Sequence, residues 1–320
     1  MAIALILCPA VLVVLRRWRV LDVPNERSSH LHPTPRGGGL AVAVAALAGG
    51  LVSRGPGGQR AVLLLVAVAM GAVGLAEDLV GISVPRRLAL QMGIGALAAP
   101  FLASGVGLGL PVEAGAAVLS VVWLAAFVNA FNFMDGINGI SAVQVIVAGA
   151  AYAWLGRGHH PLLVDGGLAA AAAAAGFLPF NFPRARMFLG DIGSYLLGGW
   201  LAVLAVLAVR DGLGLVAAGA PLALYVADTG TTLLRRIAQG EAWMQPHRSH
   251  AYQRLVVAGW SHAASTTLVG LTVLVCSALG IAARGRPVPV QAGLAVAIAV
   301  VVGAYLVSPA LTGRRHPVPA

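Results

Sequence analysis

The sequence predicts an all-α, polytopic integral membrane protein of about ten to eleven transmembrane helices, on three observations. The 320 residues are 59% hydrophobic and only 10% charged, against roughly 25% charged in a soluble domain. Mean hydropathy is +0.87. Apolar runs recur throughout, each near the ~20 residues that cross a ~30 Å hydrocarbon core as a helix. Spanning strands would alternate apolar and polar residues over ~10-residue segments, a pattern not seen here. Residues 1–320 read as a single multi-spanning domain.

The first apolar run, 1–16, has neither a basic leader nor a small-residue cleavage site, and it leads into Arg16, Arg17 and Arg19. That predicts an uncleaved span with a cytoplasmic C-terminal end. Further spans are expected near 38–54, 60–77, 88–106, 112–130, 138–156, 162–180, 188–209, 213–233, 263–283 and 288–308. Cys8 and Cys276 lie inside apolar runs, as small buried residues do, and not as a disulfide or metal pair. The 41 glycines suit close helix packing in lipid.

Every basic residue is Arg, and the net charge is +10. The loops after odd-numbered spans and the C-terminal tail hold fifteen of the 21. The remaining six are Arg54, Arg60, Arg157, Arg210, Arg284 and Arg286. This bias places the odd loops in the cytoplasm and accounts for the basic charge without a nucleic-acid partner. Eight of the 11 acids fall on the same side. Only Glu113, Asp165 and Asp211 fall on the other, in short loops without evident polar company. Acid placement does not normally follow topology, so its one-sidedness points to a site on the cytoplasmic face.

Five loops on that face carry the polar residues. The first runs from Asp22 through His30 and Arg36 to Gly37, Gly38 and Gly39. Its glycines are either a flexible approach to a helix or, beside Arg36, His30 and Arg27, a backbone cradle for phosphate. The second opens on the acid pair Glu77 and Asp78. Such a pair shares a cation, shares a proton or is hydrated at a helix end. The third reads Asn129-Ala-Phe-Asn-Phe-Met-Asp-Gly-Ile-Asn-Gly-Ile140. Asn132 or Asp135 could be a plain N-cap, but capping explains one polar residue, not four with two glycines. Asp135 and Asn138 share a face if the next helix starts there. The fourth carries Asn181, Phe188 and Asp191, with Gly190, Gly193 and Ser194 around the acid. Asp191 suits an N-cap or a Mg²⁺ ligand. The fifth, about 234–262, holds His247, Arg248, His250 and Arg254. That cluster suits anion binding, or a basic patch meeting anionic lipid. Asp228 lies just before it, inside an apolar run, and needs a partner at that depth.

Acids for a hard cation and Arg/His for phosphates form the combination that phosphoryl transfer requires. With no soluble domain beside the spans, the substrate is expected to be membrane-borne.

These motifs, in this order, resemble the polyprenyl-phosphate N-acetylhexosamine-1-phosphate transferases, glycosyltransferase family 4. The similarity runs over nearly the whole chain through Pro-Asn-x-Arg-Ser-Ser-His … Pro-Thr-Pro-Arg-Gly-Gly-Gly, the acid pair, Asn-Phe-Met-Asp-Gly-Ile-Asn-Gly, Phe-Leu-Gly-Asp-Ile-Gly-Ser and His-Arg-Ser-His-Ala-Tyr-Gln. The last motif looks like the branch that initiates O-antigen or related surface glycans. The resemblance implies transfer of an N-acetylamino sugar 1-phosphate from a UDP-sugar to undecaprenyl phosphate, releasing UMP. It implies Mg²⁺, with Mn²⁺ as a substitute, held by Asp191. Phe188 would stack on uracil and Asn181 would contact the nucleoside. Asp135 and Asn138 would line the nucleotide pocket, with Asn132 in the same substrate-binding set. Glu77 and Asp78 would lie near the lipid phosphate and, in one mechanism, help deprotonate it. His247, a catalytic candidate, would engage the diphosphate or sugar with Arg248 and His250, while Arg36 and His30 would meet phosphate. The implied setting is the bacterial inner membrane, multi-pass, with a cytoplasmic site, lipid around the chain and a homodimer as one form.

Two positions depart from the family pattern. Glu77 stands where Asp is usual, and Gly81 stands where some members carry Lys. The alternatives are a lipid transporter or flippase, a phospho-MurNAc-pentapeptide translocase, and an inactive scaffold.

Overall fold

The computed structural model describes residues 1–24, 32–103, 110–241 and 248–312. It is almost entirely helical. α1 (Ala2–Arg17) ends on Arg16 and Arg17, cations placed favourably at the negative end of the helix dipole. A two-residue strand, β1 (Leu21–Asp22), pairs antiparallel with β2 (Thr34–Pro35), Leu21 opposite Pro35. There follow α2 (Gly39–Leu51), α3 (Gly57–Val80), α4 (Val84–Ala103), α5 (Leu110–Met134), α6 (Ile140–Leu155), α7 (Pro161–Asn181) and α8 (Gly190–Arg210). Then come α9 (Leu215–Gly219), a 3₁₀ turn (Ala220–Leu222), α10 (Ala223–Ala238), α11 (Ala251–Val257), α12 (His262–Ala283) and α13 (Val288–Leu311).

Six helices among the described residues are long and apolar enough to cross a membrane: α3, most of α5, α7, α8, α12 and α13. Exposed Leu65, Leu97, Phe101, Leu119 and Val300 leave an apolar exterior, as lipid contact requires. The chain is a multi-pass membrane protein.

Ten of the eleven expected spans correspond to single helices. The exception is 213–233. Pro221, inside the 3₁₀ turn, cannot donate to a helical ladder, so the run breaks into α9, the turn and α10. Its hydropathy gave one span, and a 3₁₀ turn holding its proline interrupts the α-helix.

α8 is the axis of the bundle. It is buried on nearly every face, with 89% of its apolar window enclosed, and it packs against α2, α3, α4, α5, α6 and α7. Small residues let the neighbours approach its first turn. A Cβ on Gly39 would collide with the Gly193 backbone, and one on Gly74 with the Asp191 carbonyl. The start of α8 is thereby clamped between α2 and the last turns of α3. Cys8 and Cys276 are buried and unbridged, as expected.

At the far end of the bundle, Asp165 accepts from Arg54 at its backbone N–H (2.7 Å), Nε (2.9 Å) and Nη2 (2.8 Å). Asp211 pairs with His160 Nδ1 at 3.1 Å. These two acids do have polar company, contrary to the sequence expectation. Their partners lie 111 and 51 positions away, beyond the reach of local reading.

Candidate active site

Asp78, in the last turn of α3, serves another helix. Its Oδ1 accepts from the N–H of Asp191 at 3.1 Å, and its Oδ2 from the N–H of Ile192 at 2.9 Å. The first turn of a helix presents orphan N–H groups and positive potential. α8 has no capping side chain of its own, so Asp78 supplies the cap from across the bundle. Asp191 is therefore not the N-cap. It lies inside the first turn, with its carboxylate projecting from the capped end.

Arg36 joins the two acids. Its Nε lies 2.8 Å from Asp78 Oδ1 and its Nη2 lies 2.9 Å from Asp191 Oδ1. Their negative charges hold its guanidinium firmly protonated, against the opposing effect of burial. Asn132, in the last turn of α5, donates Nδ2–H to Asp191 Oδ1 at 2.8 Å and lies 3.0 Å from Ser194 Oγ.

The backbone aims Arg36. Phe188 N–H donates to the Pro35 carbonyl at 2.8 Å. Gly37 and Gly38 N–H donate to the Phe188 carbonyl, and Gly39 N–H to the Leu189 carbonyl, at 3.2, 2.9 and 2.7 Å. The three glycine amides are thus spent on the fourth loop, and the phosphate cradle they suggested is not formed. The glycines serve close packing: a Cβ on Gly38 would lie 2.6 Å from Phe177 Cε2.

Asp135 follows α5 in a non-helical turn that runs to Gly139, the N-cap of α6 at φ 79°. Asp135 and Asn138 consequently share a loop, not a helix face. Burial pushes the Asp135 carboxyl up to about 7, and the negative charges of Asp191 and Asp78 act in the same direction. Asn181 braces the turn, accepting from Gly139 N–H at 2.6 Å and donating to the Met187 carbonyl at 3.0 Å. Asn138 donates to the Pro183 carbonyl at 3.0 Å. Both amides expected on the nucleotide also tie the third loop to the fourth.

Glu77 is turned to different work from Asp78. It accepts from Ile82 N–H at 2.7 Å and pairs with Arg87 at 3.3 Å, finishing the turn after α3. Gly81 closes that helix at φ 66°, a backbone conformation that favours glycine.

The fifth loop reaches the third through its C-terminal half. Tyr252 O–H donates to the Phe133 carbonyl at 2.9 Å, and the His250 ring stacks on Tyr252 with centroids 5.8 Å apart. Arg235 holds the Ser249 carbonyl at 2.6 Å. Arg248 Nε is buried and has no hydrogen-bond partner among the described residues. His30 and His247 lie outside the described residues.

Arg36, Asp78, Asn132, Asp135 and Asp191 therefore converge from four loops at one end of the bundle. The carboxylates among them offer hard oxygens, which suit Mg²⁺ more than a transition metal. No three His, Cys, Asp or Glu side chains among the described residues form a closed metal cage. One or two carboxylates completed by ligand oxygens is the arrangement such a donor set fits.

A family model for glycosyl transferase family 4 matches residues 60–209. The chain is 30% identical over 308 residues to the decaprenyl-phosphate N-acetylglucosaminephosphotransferase of Mycobacterium leprae, covering 82% of this chain and 76% of that one. The chain belongs to glycosyl transferase family 4. A further family relative is the probable undecaprenyl-phosphate N-acetylglucosaminyl 1-phosphate transferase of Bacillus subtilis, 28% identical over 83% of this chain and 78% of the relative. Another is the phospho-N-acetylmuramoyl-pentapeptide-transferase of a Synechococcus species, 32% identical over 78% and 80%. The matched family region contains Asp78, Asn132, Asp135 and Asp191, whereas Arg36 and His250 lie outside it.

Sequence reading missed the cross-bundle capping by Asp78 and the bond from Tyr252 to the third loop. It also missed Tyr305, whose O–H donates to the buried Asp228 at 2.8 Å; the depth of Asp228 was the available signal.

Proposed function

We propose that this protein transfers an N-acetylamino sugar 1-phosphate from a UDP-sugar to undecaprenyl phosphate, giving the undecaprenyl-diphosphate sugar and UMP. The reaction would start a cell-surface glycan at the cytoplasmic face of a bacterial inner membrane. The observation that carries this reading is the convergence of three carboxylates and Arg36 at the capped end of α8, in a chain whose relatives bear polyprenyl-phosphate transferase names.

In the transfer, a lipid phosphate oxygen attacks the sugar-bearing phosphorus. The bridging P–O bond breaks, and UMP leaves with its electron pair. Negative charge grows on phosphate oxygens throughout, so positioned cations and donors are what the chain must supply. Mg²⁺, or Mn²⁺ in its place, would supply charge neutralisation when bound at Asp191. Asn132 orients that carboxylate, and Arg36 stands beside it to meet a phosphate. Asp135, whose carboxyl burial pushes up to about 7 before any cation is bound, is placed to exchange a proton with a weak acid. Asp78 already accepts hydrogen bonds at both oxygens, so it anchors the start of α8 and Arg36. Phe188, half-buried beside Arg36, offers a ring for uracil. Arg248, with His247 and His250, would take the diphosphate or sugar, and a buried Nε with no partner among the described residues suits that anion.

A transporter would use its deep acid for cargo. Asp228 is instead saturated by Thr232, His250, Ala251 and Tyr305.

The test is label transfer in membranes given Mg²⁺, undecaprenyl phosphate and a panel of UDP-HexNAc sugars with UDP-MurNAc-pentapeptide. Label should enter lipid with at least one amino sugar, and Asp191→Asn should abolish it. No transfer from any donor, or full transfer by Asp191→Asn, overturns the reading.

A further inference from the structure

Two acids share one arginine at the capped end of α8. Asp78 accepts at Oδ1 from Asp191 N–H and Arg36 Nε, and at Oδ2 from Ile192 N–H. Asp191 accepts at Oδ1 from Arg36 Nη2 and Asn132 Nδ2. Among the described residues, Asp191 Oδ2 is the one oxygen of these two carboxylates without a partner. Glu77, the neighbouring acid, is committed to Arg87 and Ile82 N–H. Asp135 closes no cage of three with them among the described residues.

This count limits what the acids can do for a divalent cation. Mg²⁺ dehydrates reluctantly and is usually held through one or two carboxylates plus substrate phosphates. Asp78 has no oxygen to give without loosening α8 or Arg36. Asp191 offers one, on a carboxylate whose charge Arg36 already balances. A guanidinium stays charged, and this one lies 2.9 Å from Asp191 Oδ1. It therefore repels a second cation on the same carboxylate.

A diphosphate removes both obstacles. Its oxygens complete a cation's ligand set, and its negative charge attracts the cation and the guanidinium alike. Arg36 can receive it. A guanidinium carries more N–H donors than these two contacts use, and Nη1 meets no acceptor among the described residues. The Arg36 side chain is 35% exposed, against 6% for Asp78 and 13% for Asp191, so it is the accessible member of the trio. Clamping α8 requires only the Asp78 contacts and does not call for an accessible arginine on Asp191.

We infer that Arg36 is the resident counter-charge of Asp78 and Asp191, and that it makes the site take a divalent cation together with the donor's diphosphate and not alone. For the identity of the anion, the inference rests on the transferase reading above.

Mn²⁺ binding followed by electron paramagnetic resonance tests it, on the full-length protein in phosphatidylcholine nanodiscs. Arg36→Met removes the charge and keeps an unbranched side chain. It should bind Mn²⁺ alone about 10-fold more tightly than the wild-type protein, a modest share of the repulsion between neighbouring charges at a protein surface. Arg36→Lys keeps the charge and should bind Mn²⁺ alone as weakly as the wild type. Adding Asp191→Asn to Arg36→Met should abolish the gain, which locates the cation at that carboxylate. With UDP present the order should reverse, the wild type holding Mn²⁺ and UDP more tightly than Arg36→Met. Unchanged or weaker binding of Mn²⁺ alone by Arg36→Met would mark the arginine as a structural clamp and overturn the inference.

If Arg36→Met fails to fold, thermal unfolding of the wild-type protein decides. Mn²⁺ with UDP should raise the melting temperature, and Mn²⁺ alone at the same free concentration should leave it unchanged. An equal rise from Mn²⁺ alone overturns the inference. Absence of UDP binding, with or without Mn²⁺, would remove the transferase reading while leaving the results with Mn²⁺ alone standing.

Discussion

Asp78 and Asp191 are both acids at one end of the bundle, yet they answer to different physics. Asp78 satisfies two orphan amides of α8, while Asp191 projects from the helix that those bonds secure. Asp78→Ala should therefore lower thermal stability by about 0.5–2 kcal/mol, the cost of a lost cap, as well as activity. Asp191→Asn should remove activity with a smaller change in melting temperature. Differential scanning fluorimetry beside the transfer assay separates the two.

Asp135 gives a pH signature. Its folded value of about 7 lies above the ordinary 3.8, so between them the folded protein keeps a proton that the unfolded chain has released. Stability from this group is complete below about pH 4 and is lost as pH rises through 7. Melting temperature in the metal-free protein should fall over that window, and Asp135→Asn should flatten the fall. That acids gather here was legible, because they stand out against apolar runs. Their division of labour was not, since it depends on which backbone amides lie opposite.

At the scale of elements, the bundle depends on backbone meeting backbone at the start of α8. Gly74→Ala would drive a methyl group into the Asp191 carbonyl. Overpacking of that kind costs about 1–3 kcal/mol, and the displaced helix start should take activity with it. Gly81→Ala meets open space at φ 66°, so only backbone strain opposes it and the melting temperature should fall less. Helix positions were readable because run length and hydropathy fix a span without knowledge of its neighbours. The break at 220–222 was readable too, from Pro221, but hydropathy carries no information about backbone hydrogen bonds and masked it. The glycine triplet misled for a related reason. Free amides look alike in a sequence whether they await a phosphate or a carbonyl, and here Phe188 and Leu189 supply the carbonyls.

For the whole molecule, the two ends are chemically distinct. One end gathers Arg36, Asp78, Asp135 and Asp191, while the other is tied by Arg54–Asp165 and His160–Asp211. Arg184 is exposed just before the first end's α8, and Arg157 is exposed after α6. With Cys8 and Cys276 replaced by Ala, Arg184→Cys and Arg157→Cys should react with a membrane-impermeant maleimide from opposite sides. In intact cells Arg157→Cys should label and Arg184→Cys should label only after lysis; the reverse pattern would invert the proposed orientation.

The bonds between residues 35–39 and 188–189 also give the molecule a mechanical property. Arg36 and Phe188 are joined by an isolated parallel β-bridge, flanked by the bonds of Gly37 and Gly38 to the Phe188 carbonyl, so neither side chain's mount can shift without carrying the other. The amides of Gly37, Gly38, Gly39 and Phe188 should accordingly exchange with deuterium as one cooperative unit, opening together or not at all. A splinted pair of loops of this kind works as a caliper, whose jaws are a guanidinium and an aromatic ring and whose gap is set by backbone hydrogen bonds.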